Sequence, residues 1–470
     1  MSQALDVAII GAGPAGLSAA ILVARAGLSV RVFDEGSGPG GQLFKAISKS
    51  PWARRDVLGE DYWDGAGLID EFDASGSQLE SETTVWSLDD SLELGLVRHG
   101  RADTVCARRV IVATGALERP FPIPGWTLPG VMTIGGAQTL LKASGLVAQG
   151  EVVLAGSGPL LWLFAAQTLR AGGRITRILD TTPRDAWWRA ASALPEFLAS
   201  PLFRKGLALI REVRRAVLVV RNVIELQAEG QDAVQRVSWR CASGERGQCD
   251  VEHLLLHQGV TPHTNLAMSA GIEHQWDSDQ LCWLPILDEF GRSSVPGISI
   301  AGDGAGIGGG WLAQARGRMA AIGAIRDLVG AASNVASDSS EREVRRTMAH
   351  HQAGRRFLDR YFQPAEAFRI PRGGTLACRC EEVSAEQVRA AVKLGCEGPN
   401  QMKAFLRCGM GPCQGRMCGL TVTELIAQEL RVSPREVGAF RIRPPVKPIT
   451  LSALAAMSSG DSAHNAVVRG

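Results

Sequence analysis

Neither sign of charge dominates these 470 residues. The formal net charge is +2, charged residues make up 21% and apolar residues 45%, which excludes a disordered chain and a broad basic field for nucleic acid. No basic leader followed by an apolar stretch precedes Asp6-Val7-Ala8-Ile9-Ile10, so no secretory signal is read. Two uncharged runs, 120–141 and 152–169, reach the roughly 18 residues at which a membrane span becomes thinkable. Prolines and glycines break the first, and Gly156-Ser157-Gly158-Pro159 in the second reads as strand, tight turn and helix, so neither is taken as a span. Close cysteine pairs are missing from the first 377 residues: Cys106, Cys241, Cys249 and Cys282 stand alone and are read as buried structural thiols. The other six fall between 378 and 418, too concentrated for a disulfide framework, and point to a reducing compartment, the cytoplasm. A recognisable general base is lacking too. The eight histidines are scattered, His350-His351 reads as the solvated face of a charged helix, and His257 as a satisfied histidine beside a loop.

Glycine, by contrast, is abundant. The 54 glycines exceed the roughly 7% norm and concentrate in loops where backbone must approach a ligand. The first is Gly11-Ala12-Gly13-Pro14-Ala15-Gly16, between a strand over 6–10 and an alanine-rich helix running to about Gly27. A further strand over 29–33 ends in Asp34. In such a βαβ unit Gly11 permits the tight turn, Gly13 admits a pyrophosphate, Gly16 lets helix and strand pack, and the helix N-terminus attracts phosphate. Asp34 would bind a ribose hydroxyl, with Glu35 beside it. A second copy follows, with strand 151–155, the loop Gly156-Ser157-Gly158-Pro159-Leu160-Leu161, and strand 174–179 ending in Asp180. Leu161 replaces the third glycine. NAD binding there is disfavoured, and Leu160, Leu161, Trp162 and Phe164 are expected as core of a retained scaffold.

The chain closes on a different chemistry. Cys378-x-Cys380, a spacer of 32 residues, and Cys413-Gln414-Gly415-Arg416-Met417-Cys418 group four thiols as two close pairs. Thiolates select iron–sulfur clusters, zinc or Cu(I) over hard cations. Cys408 and Cys413 are also four residues apart, so spacing alone leaves two ligand sets open, as well as a zinc site or unliganded thiols. Ser384-x-x-Gln387 is a capping box opening a helix to about Leu394, and a second helix is expected from Thr421 to Leu430. Glycines 409, 411, 415 and 419 would let backbone amides face a cluster.

These segments resemble known families. Gly40-Gly41-Gln42, Val110-Ile111-Val112-Ala113-Thr114-Gly115-Ala116 and Pro296-Gly297-Ile298-Ser299-Ile300-Ala301-Gly302-Asp303-Gly304 are similar to the flavin loop, Ala-Thr-Gly segment and Gly-Asp segment of two-dinucleotide-domain flavoproteins. That resemblance implies FAD held by Gly11, Gly13, Pro14, Ala15, Gly16, Asp34, Glu35, Gly41, Gln42, Thr114, Gly115, Gly302 and Asp303, with Asp303 near the ribityl chain. On physics alone Asp303 would equally serve as N-cap of the helix through Gly317 to Ala324. Disulfide reductases of this architecture keep a cysteine pair beside the flavin; this chain has none there. The C-x-C, spacer, C-x4-C pattern resembles bacterioferritin-associated-ferredoxin domains, which implies a [2Fe-2S] cluster on Cys378, Cys380, Cys413 and Cys418, with Cys408 and Cys396 as nearby non-ligand thiols.

Together with Gly409-Met410-Gly411-Pro412-Cys413, His257-Gln258-Gly259-Val260-Thr261-Pro262 and Arg443-Pro444-Pro445-Val446-Lys447-Pro448, the whole resembles the larger subunit of bacterial heteromeric amine dehydrogenases: octopine and nopaline oxidases, hydroxyproline and proline dehydrogenases, and hydrogen cyanide synthase. The resemblance implies a smaller glycine-oxidase-like flavoprotein partner that oxidises the carbon–nitrogen bond and, in some members, an FMN at the subunit interface. It further implies a quinone or carrier as acceptor, a small third subunit, and attachment to the inner membrane through partners. The expected fold is α/β, with two nested Rossmann-like domains and a small helical C-terminal [2Fe-2S] domain. The expected organisation is an FAD domain over 1–120 and 285–330, an inserted NAD-like domain over 121–284, and a helical linker over 331–372. The cluster domain follows over 373–435 and an extended tail over 436–470. A self-contained NAD(P)H-dependent reductase and a non-catalytic scaffold are the rival readings. Trp187-Trp188, Leu202-Phe203-Arg204-Lys205 and residues 211–215 form a basic, apolar helical stretch, expected to pack internally rather than to meet a partner or membrane.

Overall fold

A computed structural model describes residues 5–330 and 333–457. Its first sheet is built on the strand Leu5–Ile10, whose last four residues are buried on both faces by helices and a second sheet layer. Val30–Phe33 and then Gln78–Glu80 lie in parallel on one side, and Arg101–Val112 followed by Ile298–Ile300 on the other. The chain must therefore leave this sheet after Val112 and return nearly two hundred residues later. The long strand Arg101–Val112 also pairs antiparallel with Glu93–Arg98, which pairs with Thr83–Leu88.

The excursion builds a second parallel sheet, in the order Leu218–Val220, Arg177–Asp180, Val152–Ser157, His253–Gln258, Val131–Thr133. An antiparallel layer of Val223–Glu229, Arg236–Cys241 and Arg246–Asp250 precedes the strand His253–Gln258. Exit and return run side by side, as Ala116–Glu118 pairs antiparallel with Val260–Pro262. The expected core residues of the second helix behave as their apolarity demands: Leu161, Trp162 and Phe164 are buried, while Leu160 is half-buried. No helix among the described residues is long and apolar enough to cross a membrane.

The cysteine-rich segment is not a tethered module. Its short hairpin, Leu376–Cys378 with Val383–Ser384, leads into Ala385–Lys393, whose capping box is formed at both ends by Ser384 and Gln387. Pro399–Leu406 and Gly419–Leu430 complete it. Val388, Val392, Met402, Val422, Leu425 and Ile426 share one apolar core with Ala8, Ile10, Val110 and Val112 of the first sheet. Burial of this common core makes the cysteine region and the first nucleotide fold a single cooperative body. A buried ion cluster adds to it. Glu424 of Gly419–Leu430 pairs with Arg369, while Arg119, after the crossover strand, donates to the carbonyls of Gln280 (2.7 Å) and Leu281 (3.0 Å) and feels the charge of both.

The basic stretch around 187–215 divides. In the helix Pro201–Ala216 Val213 is buried, with Leu209 and Ile210 half-buried against the main core, and Trp187 packs on Phe357 and Tyr361, while Trp188 is 84% exposed. One expectation fails. Cys106, expected buried, is exposed and Cys249 half-buried, because alternate residues of their strands point to solvent; Cys241 and Cys282 are buried.

Candidate functional site: a glycine cradle and a cysteine centre

The first glycine loop has the shape that a pyrophosphate needs. Gly11 has a φ of +109° and a Cβ there would stand 2.4 Å from the Ala113 carbonyl; at Gly16 it would stand 1.9 Å from the Gly11 carbonyl. Both are therefore packing glycines. Gly13 differs, since nothing lies within 4 Å of where its Cβ would be. That open side, at the N-terminus of the helix Pro14–Arg25 with Pro14 in its first turn, is a cradle for an anionic ligand.

Asp34 closes the cradle. Its two oxygens accept the amides of Ala12 (2.6 Å) and Gly36 (2.7 Å), which fixes the carboxylate at the loop and leaves its remaining lone pairs for a ribose hydroxyl. Glu35, expected beside the ribose, instead forms an ion pair with Lys447 of the tail. Gly41 abuts Gly13, where its Cβ would come within 2.8 Å of the Gly13 Cα. Gln42 and Leu43 are held through their carbonyls by Lys142 (3.2 and 3.1 Å), a lysine of the second fold that is 4% exposed and also donates to Gln138. Burial brings its ammonium down to about 8.

Thr114 and Gly115 meet the returning chain, with Thr114 Oγ1 donating to the His263 carbonyl (3.2 Å) and the His263 amide to the Gly115 carbonyl (2.9 Å). Gly302 packs on Ala15, and Asp303 accepts the amides of Gly308 (2.9 Å) and Gly309 (3.1 Å). Asp303 is thus not the N-cap of the long helix Gly310–Val329. Gly309, with a φ of +91°, holds that place and no side chain caps the turn. The positive φ explains the departure: glycine adopts it freely and aspartate does not. Trp311, on that first turn, stacks on His351, so only His350 of the pair is a solvated face.

The second loop is filled. A Cβ on Gly158 would stand 3.3 Å from His257 Nε2, because the imidazole lies against the loop where Gly13 is open. His257 is 1% exposed and its Nδ1 is 2.6 Å from Glu118, whose other oxygen accepts the Gly135 amide (2.8 Å). Asp180 is turned inward, accepting the amide (3.0 Å) and hydroxyl (2.6 Å) of Thr182, and burial raises its carboxyl. Glu118 was not foreseen; its only sequence signal is a carboxylate directly after the Ala-Thr-Gly segment.

In the C-terminal region five thiols lie near one another, in a group of three and a group of two. Cys378 faces Cys408 and Cys418, and those two thiols with the amides of Glu381 and Gly409 drive its acidity far above that of an ordinary cysteine. Cys380 faces Cys413. Cys378, Cys408 and Cys418 are buried, and Cys380 and Cys413 half-buried. Among the described residues no three His, Cys, Asp or Glu side chains converge as a ready metal group. The glycines here are packing glycines: a Cβ on Gly411 would strike the Cys380 Cβ at 2.3 Å, and those on Gly409 and Gly415 would meet the Phe440 ring at 2.9 Å. Cys396 is set aside, its thiol 3.4 Å from the Gly398 carbonyl. The tail seals this loop with Phe440 and Ile442, both buried, before Lys447 reaches Glu35; residues 458–470 of the expected tail lie outside the described residues.

Known proteins resemble this chain over most of its length. Residues 5–327 match the pyridine nucleotide-disulphide oxidoreductase family, and residues 376–458 match the sarcosine oxidase A3 domain. The A subunit of opine oxidase from Agrobacterium tumefaciens (strain Ach5) is 43% identical over 470 residues, covering 97% of this chain and 92% of that protein. The chain belongs to the family of opine oxidase A subunits. Its relatives extend to hydrogen cyanide synthase subunit HcnB of Pseudomonas protegens, 30% identical across 98% of this chain and all of that one. Among solved structures, L-proline dehydrogenase from P. horikoshii superposes with a TM-score of 0.67 at 20% identity, over 96% of this chain and 79% of that one, which shows the shared flavoprotein fold. As a member of the opine oxidase family the chain is an oxidoreductase and a flavoprotein.

Proposed function

We propose that this chain is the electron-carrying subunit of a heteromeric complex that oxidises a secondary amine, an opine or a cyclic imino acid. Opine oxidase, sarcosine oxidase and proline dehydrogenase relatives support the CH–NH substrate class. FAD fits the first glycine loop, whose open Gly13 and inward Asp34 suit a pyrophosphate and ribose. The residues that would hold it are Gly11, Gly13, Pro14, Ala15, Gly16, Asp34, Gly41, Gln42, Thr114, Gly115, Gly302 and Asp303. A [2Fe-2S] centre would be held by Cys378, Cys380, Cys413 and Cys418, with Cys408 as a neighbouring thiol that faces Cys378. Bound flavin supplies the exchange between two-electron and one-electron chemistry.

The observation that carries this reading is the shared core. The cysteine region packs directly on the outer face of the first nucleotide sheet, so a one-electron centre and a flavin would be fixed in one rigid body. Among the described residues no side chain stands out as a general base, and the buried His257 is committed to Glu118. Amine oxidation accordingly belongs to a smaller glycine-oxidase-like subunit, with an interfacial FMN and a small third subunit completing the complex, and a quinone or carrier accepting electrons from the half-buried Cys380–Cys413 side. The domain division expected from the sequence is kept, and so is a cytoplasmic setting, docked at the inner membrane through partners.

The filled second loop argues against a self-contained NAD(P)H reductase. The test is co-purification with the neighbouring subunits, cofactor analysis, and a screen of opines, proline derivatives and glycine. The complex should turn over one class, and the isolated chain none. Amine turnover by this chain alone would contradict the assignment.

A further inference from the structure

The loop that carries Cys413 is held from outside its own segment by one side chain. Asn265 is 7% exposed, and its Nδ2 donates to the Gln414 carbonyl at 2.8 Å. Gln414 needs holding. It has a φ of +51°, a conformation costly for a residue with a side chain, and its amide spans back to the Gly411 carbonyl at 2.8 Å. The segment that delivers Asn265 starts at the flavin loop: the backbone of His263 donates to Gly115 and accepts from the Thr114 hydroxyl, and Asn265 follows two residues later. A cavity of about 60 Å³ lies beside Asn265, Gly415, Arg416, Thr423 and Phe440.

We propose that Asn265 is a positioning residue, a latch that fixes the peptide between Gln414 and Gly415 with its carbonyl turned away from the cysteine centre, and that residues 263–265 join the flavin loop to the Cys413 loop as one bonded path. This rests on the cysteine reading above. With the Gln414 carbonyl captured, the amide of the same peptide, at Gly415, is left to face sulfur and stabilise the reduced centre, while the Arg416 amide closes the loop on the Cys413 carbonyl (3.1 Å). Released, the carbonyl presents its negative end to the same place.

The test compares the wild-type complex with N265A and N265D, both small enough to fit. Flavin content should stay the same in all three. The midpoint potential of the cysteine centre should fall in the order wild type, N265A, N265D, because alanine removes the donor and aspartate adds a negative charge as well. Loss of iron to a chelator should run about fivefold faster in N265A, the factor expected for one hydrogen bond that holds a loop closed. Iron loss with flavin retained supports the latch. Unchanged potential and chelation rate in both variants, or loss of flavin together with iron, would overturn it. A wild-type complex without iron and sulfide fails differently, since that outcome sinks the cysteine reading itself.

Discussion

The two glycine loops of this chain start from the same strand, turn and helix, yet one is open and the other is full. At Gly13 the space that a side chain would occupy is empty, whereas at Gly158 the His257 ring already stands there, anchored by Glu118. At the third position a Cβ on Gly16 would meet backbone at 1.9 Å, whereas Leu161 has moved into the core. A duplicated nucleotide fold has thus kept its architecture in both halves and its ligand cradle in one. The second half lends rigidity instead: Lys142 reaches from it to the Gln42 and Leu43 carbonyls, and Gln138 and Gln167 extend the polar contact to Leu58.

The strongest way to break this contrast is to fill the packing glycine. G16V should abolish flavin retention and unfold the first sheet, read by flavin absorbance after desalting and by thermal unfolding, because the clash is with backbone that cannot yield. G13A is the sharper experiment. It should fold with an unchanged melting temperature yet bind flavin on the order of a hundredfold more weakly, since a methyl group enters only the ligand's space. G158A should leave flavin content untouched.

Next in size is the buried pair that fills the second loop. E118A should cost about 3 kcal/mol in chemical denaturation, as the partner imidazole loses a buried hydrogen bond. NADH should still fail to bleach the flavin; bleaching would show that the second loop retained its ligand. Smaller again is a pH effect at the segment joining the two halves. Burial, and then Arg416 and Lys447, bring His263 down to about 3 from its ordinary 6.5. The unfolded chain therefore binds the extra proton first. The stability contributed by neutral His263 is complete above pH 6.5 and is lost as pH falls toward 3, at up to about 1.4 kcal/mol per pH unit. In H263Q the denaturation midpoint should depend less on pH across that window.

Much of this was legible locally. Apolar runs flanking glycine turns dictated both βαβ units, and the Ser384 capping box formed as its spacing required. What stayed hidden depends on partners far away in the chain. His257 and Glu118 are 139 residues apart, Asn265 and Gln414 149, and no local pattern announces either contact. Glu35 looked like a ribose ligand because it follows Asp34, but Lys447 of the tail claims it. Asp303 looked like a cap because an acid precedes a helix; the turn actually begins at Gly309, whose positive φ only the backbone geometry reveals. Exposed Trp188 misled for the opposite reason, since apolar composition alone does not say which neighbour will cover a side chain.

The central claim is that sulfur from Cys378, Cys380, Cys413 and Cys418 holds a [2Fe-2S] cluster in the same rigid body as the flavin cradle. Electron paramagnetic resonance of the anaerobically purified complex, reduced and assayed in parallel for iron and acid-labile sulfide, tests it most directly. The account predicts iron and sulfide in equal amounts and a paramagnetic signal on reduction that C413S removes while flavin stays bound. A chain that carries zinc, or neither sulfide nor signal, would contradict it.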